Sequence, residues 1–222
     1  MGHYFESNEN IKSDEKLHEV FIKEKRYKFI TDYGVFSKKG LDYGTRVLLE
    51  SIDIDNIDGD VLDFGCGYGP IGIFIKDNTN SNVDMIDVNE RSISLAKKNA
   101  SLNNVNVNIF YSDRYENINK KYDYIISNPP IRVGNEILFE ILFGAKDYLK
   151  KGGKLIIVIN KNQGAKTVVK KLADFFVVEV INKNKGFYII EASNIWQFEL
   201  FYVILYIGDM LFILEEYFWT NL

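Results

Sequence analysis

The sequence predicts an α/β fold: a doubly wound, mostly parallel sheet of seven strands that ends in an antiparallel hairpin, with a small β extension in front. Three observations predict it. From residue 60 onward, short β-branched and aromatic runs alternate with helical patterns, the order that builds parallel βαβ units. The last two runs, 175–181 and 186–191, are separated only by 182–185, which is too short for a crossover helix and suits a hairpin. Several runs stop abruptly in an acid or an amide, and ligands bind at the carboxyl ends of strands in such sheets.

The elements follow in order. Residues 17–33 hold two β-like runs split by charged residues, which suits a hairpin ahead of the main domain. A glycine-rich loop in 34–50 leads into a helical pattern from Thr45. Strands are expected at 61–64, 83–88, 105–111, 122–127 and 155–159, and helices at 71–77, 89–102, 136–149 and 164–172. In the second helix Ile93, Ala96, Lys97 and Ala100 recur at helical spacing. Lys150-Lys151-Gly152-Gly153 reads as a cationic last turn and a glycine stop to the helix before it. The expected division is 1–40 as an N-terminal extension, 41–192 as the main domain and 193–222 as an atypical apolar tail.

Composition narrows the function classes. A chain of 222 residues, 46% apolar and 26% charged, is ordinary for a soluble globular protein. The single cysteine, Cys66, allows no internal disulfide and fits a reducing, cytoplasmic compartment. The start, MGHYFESNEN, is polar and does not read as a secretory signal. With His3 and His18 as the only histidines, neither a His-based metal site nor a His-centred triad is expected, and no metal is assigned. The net charge of −4 is uneven: 144–194 hold ten Lys against four acids. Such a stretch is either a solvated face or an attractor for a polyanion such as RNA.

The chemistry concentrates at strand ends. Residues 61–69 read VLDFGCGYG, placing Asp63 before Gly65, Gly67 and Gly69. Glycines let a backbone approach a ligand closely, and the following helix would offer free N–H groups. The spacing departs from the dinucleotide fingerprint, since the third glycine comes one place early, and Asp63 suits a cationic or hydroxylated ligand better than a pyrophosphate. Asp87 ends the next strand, where a carboxylate can accept both hydroxyls of a ribose. Asp113 ends the third, where it could accept from an adenine amine. Each acid alone could be a turn or helix-cap residue. Together they describe a pocket for a nucleoside with a positively charged substituent. The fourth strand, YDYIIS, stops at Asn128-Pro129-Pro130, because two prolines end the ladder and hold a carboxamide at the rim.

These residues resemble class I S-adenosylmethionine-dependent methyltransferases, which have a Rossmann-like fold. D-x-G-x-G-x-G at 63–69 is similar to their first motif, and Asn128-Pro129-Pro130-Ile131 to the N/D-P-P-Y/F/I motif of enzymes that methylate planar amino nitrogens. GVFSKKGLDYGTRVLLE at 34–50, SNPPIRVG at 127–134 and KNQGA at 161–165 narrow the resemblance to small-subunit ribosomal RNA guanine-N2 methyltransferases in their short, single-domain form. The resemblance covers about residues 3–192. It implies S-adenosyl-L-methionine as cofactor, held by Asp63, Gly65, Gly67, Gly69, Asp87, Asp113 and Asn128. It implies transfer at Asn128, Pro129 and Pro130, with Phe36, Ile131 and Arg132 toward the substrate. The substrate it implies is 16S rRNA or the small ribosomal subunit, at the N2 of guanine 1207. Phe36 is alternatively a core aromatic, and Arg132 alternatively a loop brace.

Two other functions stay open: an adenine-N6 or protein glutamine methyltransferase, against which Ile131-Arg132 counts, and a non-catalytic RNA-binding or assembly protein. Residues 195–222 depart from the family pattern. They carry four acids, no Lys or Arg, and eight consecutive apolar residues at 200–207 before Gly208-Asp209. That tail is read as a packing extension, a membrane-surface segment that its acidity disfavours, or sequence added by a lost stop codon or frameshift. No membrane span is expected.

Overall fold

The computed structural model describes residues 12–35, 37 and 40–195. Phe36 and all of the apolar tail beyond Ile195 lie outside them. Strands β1 (Lys16–Ile22) and β2 (Lys25–Thr31) form an antiparallel hairpin, and α1 (Tyr43–Ser51) follows. Then come β3 (Asp60–Phe64), α2 (Pro70–Asn78), β4 (Asn82–Asp87), α3 (Glu90–Leu102), β5 (Asn108–Tyr111) and β6 (Tyr122–Ser127). The chain continues through α4 (Asn135–Tyr148), β7 (Leu149–Asn160), α5 (Ala165–Leu172), β8 (Val177–Asn184) and β9 (Phe187–Ser193).

The large sheet has seven strands in the order β5-β4-β3-β6-β7-β9-β8. The first five are parallel, and β9 runs antiparallel to both β7 and β8. From β3 the chain winds outward through β4 and β5, then returns to place β6 on the other side of β3. That reversal opens a crevice beyond the carboxyl ends of β3 and β6. Ser127 locks the switch point: its hydroxyl donates to the Phe64 carbonyl at 2.7 Å.

Both faces of the sheet are covered, which is why the second halves of β6 and β7 (residues 124–126 and 155–159) read as apolar runs. On one face α1, α2, α3 and the hairpin bury Tyr27, Phe29, Leu48, Phe74, Met85 and Ala96. On the other, α4 and α5 bury Leu62, Tyr122, Ile125, Leu142 and Leu172. The small hairpin docks on α3 through two asparagines that act as a substitute strand. Asn99 accepts from Ile30 N at 2.7 Å and donates to Ile30 O at 2.9 Å, and it also donates to Tyr68 O at 2.8 Å. Asn103 pairs with Lys28 in the same two-way manner.

Three element boundaries differ from the sequence reading. Strand β7 starts at Leu149, so Lys150 to Gly153 belong to it and are not a helix stop. The Gly152 N–H and the Gly153 carbonyl bond to the backbone of Asn194 at the end of β9, and the register with β6 shifts there. Strand β5 starts three residues late, because Val105 N still bonds back to Ala100 O and completes the end of α3. The β8–β9 turn is only Lys185-Gly186, both at positive φ (44° and 85°), the geometry that matches strand twist. Among the described residues, no helix is long and apolar enough to cross a membrane.

Candidate active site

The glycine loop between β3 and α2 is the floor of the crevice. Gly65, Gly67 and Gly69 all sit at positive φ (70°, 57° and 97°), a region other residues enter only with strain. Their roles divide. A Cβ at Gly65 or Gly67 would meet no atom within 4 Å and would project into open space. A Cβ at Gly69 would press on Met85 at 2.9 Å and Ile73 at 3.1 Å. The first two glycines therefore leave a cradle for a ligand, and the third lets α2 pack against the sheet.

Asp63 and Asp87 lie at the strand ends beside this loop. Asp63 is fully buried; Oδ2 accepts from Gly72 N at 2.8 Å, and Oδ1 has no partner. Burial, with the charge of Asp87 adding, pushes its carboxyl up to about 7 against the pull of the Gly72 N–H. Burial also raises Asp87, while backbone N–H groups of Asn89, Gly67 and Val88 hold it down. Two of those bonds, from Asn89 and Gly67, are 2.8 Å long. Three backbone donors leave the Asp87 carboxylate one lone-pair site for a further donor. A buried carboxyl raised by desolvation and by a neighbouring acid is better ionised when a cation is bound beside it. Among the described residues, only Asp63 Oδ1 and the Tyr68 hydroxyl are buried side-chain polar atoms without a partner, and both belong to residues 63–69.

Gly65, Asp87, Asp113 and Pro130 line one open cleft with Phe64 and Val88. Asp113 is bonded there to Arg114 Nε at 3.2 Å. Cys66 lies in the same loop, but burial pushes its thiol well up, so it offers no nucleophile.

Asn128 directly follows β6, the strand beside β3, and its amide orientation is fixed. Nδ2 donates to Thr45 Oγ1 at 3.0 Å and to Asp42 Oδ1 at 3.3 Å. A carboxylate only accepts, so the nitrogen must face it. The Thr45 hydroxyl spends its proton on the other oxygen of Asp42, which leaves it an acceptor toward Asn128. Asn128 Oδ1 and the Pro129 carbonyl accept no hydrogen bond among the described residues. Two acceptors without a partner among the described residues thus fall on consecutive residues of the turn after β6. Ile131 packs partly buried on the α4 side of the core, and Arg132 lies in the 3-10 turn Ile131–Val133.

Asp42 and Thr45, which hold the Asn128 amide, were not singled out in the sequence. Asp42 caps α1, accepting from Thr45 N at 3.1 Å. Its signal was present as D-Y-G-T ahead of an apolar run, a capping pattern that starts the helix at Tyr43 rather than Thr45.

A seven-stranded sheet of this order, with a glycine cradle and an acid at the end of each of the first two strands, defines a class I methyltransferase. The chain belongs to the methyltransferase small domain family, whose profile matches residues 26–191. It is 39% identical over 198 residues to the uncharacterized protein YbxB of Bacillus subtilis, covering 87% of this chain and 98% of that one. It is 42% identical over 132 residues to ribosomal RNA small subunit methyltransferase C of Haemophilus influenzae, covering 57% of this chain and 40% of that one. In structure it is similar to the T. thermophilus 16S rRNA N2 G1207 methyltransferase in complex with AdoMet and guanosine, with a TM-score of 0.73 at 22% identity. That alignment covers 81% of this chain and 50% of the other. The chain therefore spans half or less of the length of these named methyltransferases. The family's cofactor is S-adenosylmethionine, and the orphaned Asp63 oxygen and the open cradle at Gly65 and Gly67 fit its cationic end and its close approach.

Proposed function

We propose that this protein methylates the exocyclic N2 of a guanine in small-subunit ribosomal RNA, with position 1207 of 16S rRNA as the leading target. The observation that carries the reading is the pair of free acceptors, Asn128 Oδ1 and the Pro129 carbonyl. The names of the partial-length relatives and the structural likeness to a guanosine-bound enzyme support it. The family's cofactor, when bound, supplies an electrophilic methyl on a cationic sulfur.

A guanine amine delocalises its lone pair into the ring and is a weak nucleophile. Asn128 Oδ1 and Pro129 O accept its two N–H bonds and turn that lone pair toward the methyl. Positioning and fixed dipoles supply the rate in such a site. The proton leaves to water once the nitrogen is alkylated, so no strong base is required. Asp87 would hold the cofactor's ribose hydroxyls, Asp113 its adenine side and Asp63 its cationic end. Pro130 lines the cleft, and the resemblance of the sequence assigns Phe36, Ile131 and Arg132 to the substrate.

The test is label transfer from S-adenosylmethionine to naked 16S rRNA, isolated small subunits and a release-factor protein, with nucleoside analysis of labelled RNA. N2-methylguanosine is the expected product. Label in N6-methyladenosine or in protein overturns the guanine assignment.

A further inference from the structure

The lysines of the basic stretch fall into two sets. One set is consumed in ion pairs: Lys150 with Asp60 and Asp123, and Lys154 with Glu191. Among the rest, Lys161, Lys183 and Lys185 are exposed, make no ion pair among the described residues and cluster at one end of the sheet. All three stand at the rim where the parallel strands end. Lys161 follows the last residue of β7, and its backbone N–H bonds to Gly186 O at 2.7 Å, joining it to the β8–β9 tip.

Aromatic rings lie among them. Lys185 Nζ is held 5.1 Å from the centre of the Tyr43 ring, and Lys183 Nζ 5.0 Å from that of Tyr188. Tyr43 is 37% exposed, and its hydroxyl donates to Asn184 at 3.0 Å. It is also the neighbour of Asp42, which grips Asn128. Lys166 is exposed on the first turn of α5, where the helix dipole disfavours a cation and no acid compensates it.

We infer that the β8–β9 tip, Lys161 and Tyr43 form a docking rim for an unpaired RNA strand beside the transfer site. The inference rests on the reading of an RNA substrate. Exposed cation–π contacts are weak, about 0.5–1 kcal/mol each. A phosphate can therefore draw the ammonium of Lys185 away and free the Tyr43 ring for a base. Lysines that track a backbone, with an aromatic platform between them, suit a single strand rather than a duplex, whose bases are not free to stack.

The test is binding of a fluorescein-labelled single-stranded RNA oligonucleotide to the full chain across a salt series. Replacing Lys161, Lys183 and Lys185 together by Gln should flatten the slope of log affinity against log salt by about 2, near 0.7 per lysine. Tyr43→Ala should weaken binding about tenfold with the slope kept, and Tyr43→Phe should bind as wild type. S-adenosylmethionine binding should be unchanged in all three. An unchanged slope in the triple variant, or no loss in Tyr43→Ala, overturns the docking rim. If the slope flattens as expected while no RNA is ever methylated, the rim stands and the methylation reading fails.

Discussion

At the scale of single residues, the site works against stability. Asp63 is ordinarily a carboxyl titrating at 3.8, and in the fold it is pushed up to about 7. Between those values the ligand-free native protein holds a proton that the unfolded chain has released. Its contribution to stability is therefore complete below the lower value and is lost as pH rises through the upper one. Asp63→Asn keeps an acceptor for Gly72 and removes the buried charge. The expected outcome is a higher melting temperature than wild type at pH 8, with S-adenosylmethionine binding weakened at least tenfold. Thermal melts and cofactor titrations at pH 6 and 8 check both. In the wild type, cofactor affinity should rise with pH through about 7, because the ionised Asp63 is the form that favours a cation. Thr45→Val tests the orientation of Asn128 more gently. It removes one of the two acceptors that hold the amide nitrogen. Turnover should fall about tenfold while the cofactor dissociation constant stays unchanged, a split that a general loss of fold would not produce.

At the scale of elements, Gly67 and Gly69 look alike in sequence and differ in the fold. Gly67→Ala should cost only about 1 kcal/mol, from a Cβ at positive φ, yet should impair cofactor binding because the methyl enters the cradle. Gly69→Ala adds contacts of 2.9 and 3.1 Å to the same backbone strain and should lower the melting temperature more. The melting temperatures and cofactor affinities of the two variants separate the roles. Asn99→Ala strips three hydrogen bonds between α3, β2 and the glycine loop, leaving Ile30 and Tyr68 backbone groups unpaired. A loss of about 2–4 kcal/mol in denaturant unfolding is expected. The alternation of strands and helices was legible because each β-branched run ends in a turn signal. The start of β7 was not, since Gly152 and Gly153 satisfy a local helix-stop rule while their hydrogen bonds go to Asn194, about forty residues away. The docking of the hairpin was equally hidden: asparagine has no apolar signature, and Asn99 is buried only because β2 presents an open edge to it.

At the scale of the molecule, the order reversal between β3 and β6 brings the ends of the strands that carry Asp63 and precede Asn128 side by side at one rim of the sheet. The position of Asp87 and Asp113 at the rim was legible because each closes an apolar run, and both line the cleft. The grip of Asp42 and Thr45 on Asn128 was not, because it joins residues 83 and 86 positions apart in sequence. Asn128 is where fold and chemistry meet, so it carries the most direct test. Single-turnover methyl transfer to small ribosomal subunits should be compared for wild type and Asn128→Ala, with cofactor affinity measured on the same preparations. The rate should fall by about 10²–10³, the loss typical when one fixed dipole is removed from a transfer site, with cofactor affinity within about threefold of wild type. An Asn128→Ala protein that transfers methyl at the wild-type rate would contradict the account.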